Sequence, residues 1–269
     1  MDDASKTDRR FATTLARGLS VLRAFRPSDD GLGNADISER TGLPKSTVSR
    51  LTFTLQALGY LDHASRRDKY RPGPALLALG NVASASISFM DMADPLMQDM
   101  ADETGTLAVL LVRHDNKMLI VKTWRPRGKA SLWLDVGHRL PFNGSSSGHA
   151  LLASLSEEGF IRTVADAGGE RGLTPERATD IRRSAHDQLT TRGFVMADSD
   201  EYFTANIRAV AVPYFSRDLS EPVIFTCGAL PEELSADRAQ AEVGPKLRAT
   251  IQELDRITGH GAMKGVRAL

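Results

Sequence analysis

Residues 34–60, NADISERTGLPKSTVSRLTFTLQALGY, contain two helical patterns separated by a tight turn, and they constrain the fold more than any other stretch. Asn34 is a suitable N-cap for a first helix that ends at Thr41, and Gly42 supplies a left-handed residue after it. Pro44 suits the entry of a second helix that begins at Lys45 or Ser46. Together these signals predict a helix-turn-helix.

The second helix has one apolar and one polar face. Its apolar residues recur in steps of three and four, which predicts a single buried stripe: Val48, Leu51, Leu55 and Leu58. The exposed face carries cations and hydroxyls, which suit phosphates and base edges in a major groove. We predict DNA contacts there from Lys45, Ser46, Thr47, Ser49 and Arg50. A plain helical hairpin in a core is the alternative.

The stretch YLDHASRRDKYRPG that follows Gly59 reads as a strand, a basic turn and a second strand. This pattern predicts a small β-wing beside the helix-turn-helix. Its cations suit phosphates or a narrow minor groove: Arg66, Arg67, Lys69 and Arg71.

The turn, the second helix and the wing, TGLPKSTVSRLTFTLQALGYL followed by DKYRPG, resemble the winged helix-turn-helix of the IclR family of bacterial transcription regulators. The resemblance continues to about residue 258. It implies a DNA-binding regulator with a GAF-like effector-binding domain. Because symmetric pairs of recognition helices read palindromic operators, a homodimer or tetramer on double-stranded DNA is expected.

Composition agrees with such a protein. The chain is 41% apolar and 25% charged, and neither a signal peptide nor a membrane span is evident, so a cytoplasmic location is expected. Net charge is zero, but residues 1–72 hold 13 Lys and Arg against 9 Asp and Glu. The single cysteine, Cys227, excludes an internal disulfide and a Cys-based zinc site. We predict no cofactor and no metal.

The periodicity divides the chain into segments in order. We predict a disordered tail at 1–10, a winged helix-turn-helix domain at 11–73, a linker helix at 74–90, an effector-binding domain at 91–259 and a tail at 260–269. A helix over Phe11–Phe25 should pack under the helix-turn-helix through Leu15, Leu19 and Leu22. The linker helix should cross between protomers.

The second domain alternates helices and strands. A helix break is expected at Asp94-Pro95, and strands at TLAVLLVR, KMLIVKTW, KASLWLDVG, FVMAD, IRAVAVPYF and PVIFTCGAL. Helices are expected near Ser147, over Pro175–Thr191 after a Thr174 cap, and over 236–257. This order predicts an α+β domain with one antiparallel sheet flanked by helices.

The sequence GSSSG, residues 144–148, permits two functional interpretations. It matches the nucleophile pattern G-x-S-x-G, with Ser146 as the nucleophile of a small-molecule serine hydrolase. No later histidine is convincingly placed for that chemistry, so we predict that the chain is not an enzyme. We favour a backbone cradle for a carboxylate at a helix N-terminus. The alternative is that this loop is an ordinary helix cap with no role in ligand binding.

In the IclR family this loop borders the effector pocket. By position in the family's motifs, the resemblance implies pocket residues Leu140, Ser146, Ser147, Ser199, Ile207, Ala209, Cys227 and Ala229. Many relatives have Cys at Ala209 and Lys at His149, so the resemblance does not transfer an effector. An organic acid, aromatic or aliphatic, of a catabolic pathway is the expected ligand.

Overall fold

The computed structural model describes residues 10–64, 69–198 and 202–259. The chain divides into two compact units, Met1–Ser86 and Ile87–Leu269. Arg66 and Arg67 of the predicted wing, Ser199 of the predicted pocket and the predicted tails, apart from Arg10, lie outside the described residues.

The first unit is a helical domain with a hairpin. Its elements are α1 Thr13–Arg23, α2 Asn34–Thr41, α3 Lys45–Ala57, β1 Leu61–Ala64, β2 Lys69–Pro72 and α4 Pro74–Ala85. The strands pair antiparallel, and a bridge from Leu32 to Tyr70 joins the hairpin to the loop before α2. The predicted helix-turn-helix and hairpin are therefore confirmed.

The two ends of α2 can be compared with the capping residues that the sequence predicted. Gly42 has a φ of 70°, so it ends the helix in the left-handed conformation, as predicted. The predicted cap at Asn34 is wrong, because the N-cap is Gly33, whose amide donates to the Asp36 carboxylate at 2.9 Å. Asn34 instead accepts a hydrogen bond from the buried Thr52 hydroxyl at 3.1 Å.

The first core is small. Its fully buried apolar side chains are Val21, Leu32, Ile37, Val48 and Leu61. Three residues of the predicted stripes do not join it, since Leu15, Leu19 and Leu58 are 63%, 45% and 61% exposed. Helix α4 buries none of its residues.

The second unit is built around a sheet. Its elements are α5 Phe89–Thr104, β3 Leu107–His114, β4 Lys117–Trp124, β5 Arg139–Pro141, α6 Ser146–Ser154, α7 Glu157–Ala167, a 3₁₀ turn Glu170–Gly172, α8 Pro175–Thr191, β6 Arg208–Tyr214, β7 Val223–Ala229, α9 Ala236–Arg238, a π turn Ala239–Val243 and α10 Gly244–Thr258. The five strands are antiparallel in the order β5-β4-β3-β7-β6. The predicted α+β class is confirmed, as is the Thr174 cap of α8.

The break between the two long helices differs from the prediction. Helix α5 continues through Pro95, so the predicted break at Asp94-Pro95 is wrong. Helix α4 ends at Ala85 and not at residue 90. Asp218 accepts hydrogen bonds from the amide and the hydroxyl of Ser88, both at 2.8 Å, and so holds the start of α5. The start of α5 is therefore set by an acidic residue far away in the sequence, and the local sequence does not predict it.

Two predicted strands are absent from the described sheet. The segment KASLWLDVG is irregular up to β5, because the Arg125 guanidinium donates to the carbonyls of Leu132 and Leu134 at 2.8 Å each. FVMAD contributes only a bridge between Val195 and Ala211. Side-chain donors and a single bridge satisfy backbone groups that a strand would pair.

The sheet separates two hydrophobic cores. Helices α6, α7 and α8 cover one face, where Val109, Ala211 and Ile224 are buried. Helices α5 and α10 cover the other face, where Phe89 and Phe225 are buried. Within the described residues, no single helix is long and apolar enough to cross a membrane; α4 and α5 meet that test only when counted together across their break.

Candidate DNA interface and effector pocket

Helix α3 presents the predicted polar face. Lys45, Ser46, Ser49 and Arg50 are exposed and Thr47 is half-buried. The helix is anchored from behind by Val48, which is fully buried, and by Thr52, whose hydroxyl donates to Asn34 Oδ1 of α2. A rigid helix with one cationic, hydroxyl-rich face is suited to entering a major groove.

The face of α3 also carries an aromatic residue that sequence reasoning overlooked. Phe53 is 71% exposed, and the spacing of Ser46, Ser49, Arg50 and Phe53 places them on one side of the helix. Phe53 borders a groove of about 530 Å³ between α1 and α3, which Arg17 and Thr14 also line. The sequence signal for Phe53 is that it is an apolar residue of α3 outside the predicted buried stripe.

The hairpin holds its two described cations close to the loop before α2. Arg71 pairs with the Asp30 carboxylate, and the Lys69 ammonium reaches the Asp30 carbonyl at 3.4 Å. Arg71 is 56% exposed and Asp30 86%, so the pair lies in solvent and contributes little to stability. Both cations lie on β2 rather than in the turn.

A small, apolar cavity lies between the sheet and the start of α6. Its volume is about 30 Å³. It is lined by Leu107, Val109, Leu132, Leu134, Leu140, Ser145, Ser147, Tyr202, Phe203, Ile207, Ala209, Thr226 and Gly228. The structure thus brings together four of the residues that the resemblance implied: Leu140, Ser147, Ile207 and Ala209.

Ser146 lies behind the cavity wall with its hydroxyl fully bonded. Its Oγ donates to the Ala209 carbonyl at 2.7 Å and accepts from the Ala197 amide at 3.0 Å. Since that single proton is committed, the Tyr202 hydroxyl at 3.1 Å is the donor in the third contact. Burial raises the pKa of the Tyr202 phenol, which keeps this donor protonated.

The glycines and the histidine of the GSSSGH segment have structural roles. A Cβ on Gly148 would meet the Phe142 carbonyl oxygen at 2.3 Å, so only glycine lets α6 approach that backbone. His149 Nε2 accepts from the Gly144 amide at 3.3 Å. Burial lowers the pKa of His149 to about 4, with a smaller contribution from Arg177, so its ring is neutral at pH 7.

At the start of α6 one backbone amide is capped, and two others have no acceptor within the helix. The Ser145 hydroxyl accepts from the Gly148 amide at 3.0 Å. Helix geometry leaves the amides of Ser146 and Ser147, the first two residues of α6, without an intrahelical acceptor. These two amides and the helix dipole make the α6 end of the cavity the electropositive one.

Two predicted pocket residues lie on the wrong side of the sheet. Cys227 and Ala229 belong to the opposite core, with Phe89 and Phe225. Because side chains alternate along β7, Thr226 and Gly228 face the cavity instead. Burial raises the pKa of the Cys227 thiol to about 12, so it is an inert core residue.

Comparison with known proteins decides the family. The model of the IclR helix-turn-helix domain matches residues 14–64, and the model of the IclR C-terminal domain of bacterial transcriptional regulators matches residues 82–256. The chain belongs to the IclR family of bacterial transcriptional regulators. It is therefore a DNA-binding regulator and not an enzyme, as predicted. A serine hydrolase based on Ser146 has no support among these relatives.

Individual members of the IclR family match along most of the chain. The HTH-type transcriptional regulator TsaQ1/TsaQ2 of Comamonas testosteroni is 25% identical, covering 94% of this chain and 91% of its own length. The crystal structure of an IclR family regulator from Brucella abortus is 31% identical, covers 96% of each chain and has a TM-score of 0.71. An IclR homolog from Microbacterium hydrocarbonoxydans, crystallised with 4-hydroxybenzoate, is 22% identical with a TM-score of 0.65, covering 89% of this chain and 99% of its own.

Proposed function

We propose that this regulator binds a palindromic operator as a homodimer or tetramer in the bacterial cytoplasm, and that a small organic acid in the cavity changes its operator affinity. The observation that supports the effector site best is the apolar cavity at the start of α6, where the amides of Ser146 and Ser147 have no acceptor within the helix. An apolar chamber with one electropositive end selects an anion with a hydrocarbon body. The 4-hydroxybenzoate bound by the Microbacterium homolog is a ligand of this kind.

The size of the cavity indicates how binding is linked to a conformational change. Its 30 Å³ is about a tenth of the smallest pockets that hold drug-sized ligands, which are about 300 Å³. An organic acid therefore moves a wall when it enters. One wall without regular secondary structure is the segment at Leu132 and Leu134, which Arg125 holds by hydrogen bonds. A ligand that binds the widened state preferentially shifts the population toward it.

On DNA, α3 lies in the major groove and each cation has a separate role. Arg50 reads a base edge, Lys45 contacts phosphate and the base edge near the start of the helix, and the hydroxyls of Ser46, Thr47 and Ser49 bond to bases or backbone. Phe53 adds an apolar contact, such as one with a thymine methyl. The wing cations Lys69 and Arg71, together with Arg66 and Arg67, contact phosphates.

Helix α4 is the proposed protomer contact. Leu77, Leu79 and Val82 are 70%, 55% and 68% exposed, and no residue of α4 is buried within its own chain. A helix this apolar and this exposed is stabilised when a second copy covers it. The same contact places two recognition helices on one operator.

The effector site is tested with Ala209→Phe, which fills the cavity in front of α6. We expect thermal-shift and calorimetric responses to benzoate or 4-hydroxybenzoate to disappear, while operator affinity in the absence of ligand is retained. Ser146→Ala is the matched comparison, because the Ser146 side chain bonds to protein groups and does not line the cavity. Unchanged acid binding by a folded Ala209→Phe protein refutes this location for the site.

The DNA interface is tested with Arg50→Ala against Arg23→Ala, which removes an exposed cation of α1 from the same domain. We expect Arg50→Ala to cost about 1–3 kcal/mol on the operator and much less on random DNA. Arg71→Ala should weaken both DNAs alike and lower the salt slope by about one. Equal losses on operator and random DNA for Arg50→Ala would remove Arg50 from base reading.

A further inference from the structure

A wide groove lies between the end of α6, the start of α7 and the loop that joins β6 to β7, and we call it the α7 groove. Its volume is about 610 Å³, against about 30 Å³ for the cavity at the start of α6. Small-molecule sites usually measure about 300–1,000 Å³, so the α7 groove has room for a ligand as it stands. Among the described residues, none lines both the groove and the cavity.

A buried arginine of α8 lines the α7 groove. Arg182 is 8% exposed, and its guanidinium carbon lies 4.5 Å from the centre of the Phe160 ring. Its Nη2 donates to the Leu155 carbonyl at 3.1 Å, and its Nη1 donates to the Glu157 carboxylate. Its Nε is buried and has no acceptor within the part of the chain that the structure describes. A buried, charged donor without an acceptor is destabilising, so this side chain points to a further anion.

The carboxylate that Arg182 holds is the exposed member of their ion pair. The Glu157 side chain is 71% exposed, whereas that of Arg182 is 10% exposed. Packing therefore fixes the cation, while the carboxylate lies at the solvent boundary, where an ion pair is weak. An anion with more charge and more acceptor atoms than a carboxylate can take the place of Glu157.

The start of α7 supplies further donors beside this arginine. The helix is 11 residues long, and its geometry leaves the amides of Glu157 and Glu158 without an intrahelical acceptor. The capping hydroxyl of Ser156 accepts from an amide of the first turn at 3.2 Å, a bond that does not use the hydroxyl proton. Arg162 follows on the same helix, lines the groove and has a side chain that is 57% exposed.

We propose that the α7 groove is a second ligand site, which takes a phosphoryl group in place of the Glu157 carboxylate on Arg182. A phosphoryl group carries a charge of about −1.5 to −2 at pH 7 and presents three strong acceptor oxygens. It can therefore accept from Arg182, from Arg162 and from the amides at the start of α7 together. Arginines and a helix N-terminus are the donors that proteins use to bind phosphate.

The opposite wall of the groove has room for the rest of a phosphate monoester. It is formed by the β6–β7 loop, which contributes the apolar side chains of Phe215, Leu219 and Pro222 and the hydroxyls of Ser216 and Ser220. A wall with both apolar surface and hydroxyls suits a small hydroxylated body. The phosphoryl group is thus expected either as free phosphate or as the ester of a small polyol or sugar.

The first test is calorimetry on the full chain with three probes: inorganic phosphate, glycerol 3-phosphate and glucose 6-phosphate. Each titration is corrected with sodium chloride at the same ionic strength. The wild type should bind at least one probe. Glu157→Gln should bind that probe about tenfold more tightly, because the competing carboxylate is gone.

Glu176→Gln is the matched control for this change. Glu176 is an exposed acid in the first turn of α8, so the substitution alters charge and helix position in the same way, but Glu176 does not line the groove. Its affinity for the probe should equal that of the wild type. A purely structural role of the Arg182 pair predicts a lower Tm for Glu157→Gln and no change in phosphate affinity.

The second test removes the donors. Arg162→Ala should weaken binding of the probe about tenfold, and this mostly exposed side chain can be removed without loss of the fold. Arg182→Lys keeps the charge but loses the planar fork of the guanidinium, so it should weaken binding by about tenfold or more. The Tm of each variant, measured without phosphate, shows that the protein tested is folded.

The outcomes assign the source of the phosphoryl group or overturn the site. Tighter binding of an ester identifies a phosphorylated metabolite, and equal affinities identify free phosphate; both support the site. The proposal is overturned if Glu157→Gln binds none of the probes at millimolar concentration, or if Glu157→Gln and Glu176→Gln have the same affinity. The operator and acid-binding tests use no residue of the α7 groove, so their results are independent of this one.

Discussion

Neutral, buried His149 makes the stability of the C-terminal domain depend on pH. Burial lowers the pKa of His149 from 6.5 to about 4, and its Nε2 accepts a hydrogen bond from the Gly144 amide. Protonation would place a charge in the core and remove that acceptor at once. The start of the loop that leads to α6 therefore depends on a neutral imidazole.

The sign and size of the effect follow from proton linkage. Between pH 6.5 and pH 4 the unfolded chain binds a proton that the folded chain does not, so stability falls as the pH falls through this window. Above pH 6.5 the contribution is fully present. The total loss is about 3 kcal/mol at pH 4, and about 2 kcal/mol is already lost at pH 5.

The assay compares wild type with His149→Gln in urea unfolding between pH 7.5 and pH 5. Tryptophan fluorescence reports the C-terminal domain, because both tryptophans of the chain, the buried Trp124 and the exposed Trp133, lie in it. Glutamine retains an acceptor but does not titrate. The wild type should lose about 2 kcal/mol more than the variant over this range, since the carboxylates titrate alike in both.

Parallel pH curves for the two proteins would refute the reasoning. A direct measurement supports the comparison if the variant folds poorly. The NMR titration of the imidazole of His149 in the wild type should give a pKa well below 6.5. A value at or above 6.5 would mean that the ring is solvated in the folded protein and that burial does not control its charge.

Three further predictions concern single contacts. Gly148→Ala should destabilise the C-terminal domain by about 3 kcal/mol or more in urea unfolding, because the new Cβ meets the Phe142 backbone; a loss under 1 kcal/mol would contradict this. Arg40→Ala removes both bonds to Asp29 and should lower the Tm of the DNA-binding domain by several degrees in calorimetry; an unchanged Tm would show that the pair is not coupled to folding. Asp218→Ala removes the acceptor at the start of α5 and should cost about 1 kcal/mol, and unchanged hydrogen exchange there would contradict it.

Short-range signals determined much of the fold before any packing was known. The left-handed Gly42 and the proline before Lys45 define the corner of the helix-turn-helix, and the structure has both helices as predicted. The Thr174 hydroxyl likewise caps α8. Such features depend on a few neighbouring residues, so the local sequence contains the information that sets them.

Features set by distant contacts could not be predicted in this way. The start of α5 depends on Asp218, and the irregular path through Leu132 depends on Arg125. Neither partner is adjacent in sequence to the segment that it holds. Local propensity indicated a helix break at Asp94-Pro95 and a strand at KASLWLDVG. Hydrogen bonds from other segments of the chain override both.

In the candidate pocket, too, some features follow from the local sequence and others only from the tertiary structure. The residues themselves place a helix N-terminus after Gly144, and that helix begins at Ser146. Only the structure shows that Thr226, and not Cys227, faces the cavity. Every residue of β7 is buried, so burial does not distinguish the two faces of the strand. Pairing with β3 and β6 set the register, and a strand with two buried faces shows no polar alternation that would reveal it in advance.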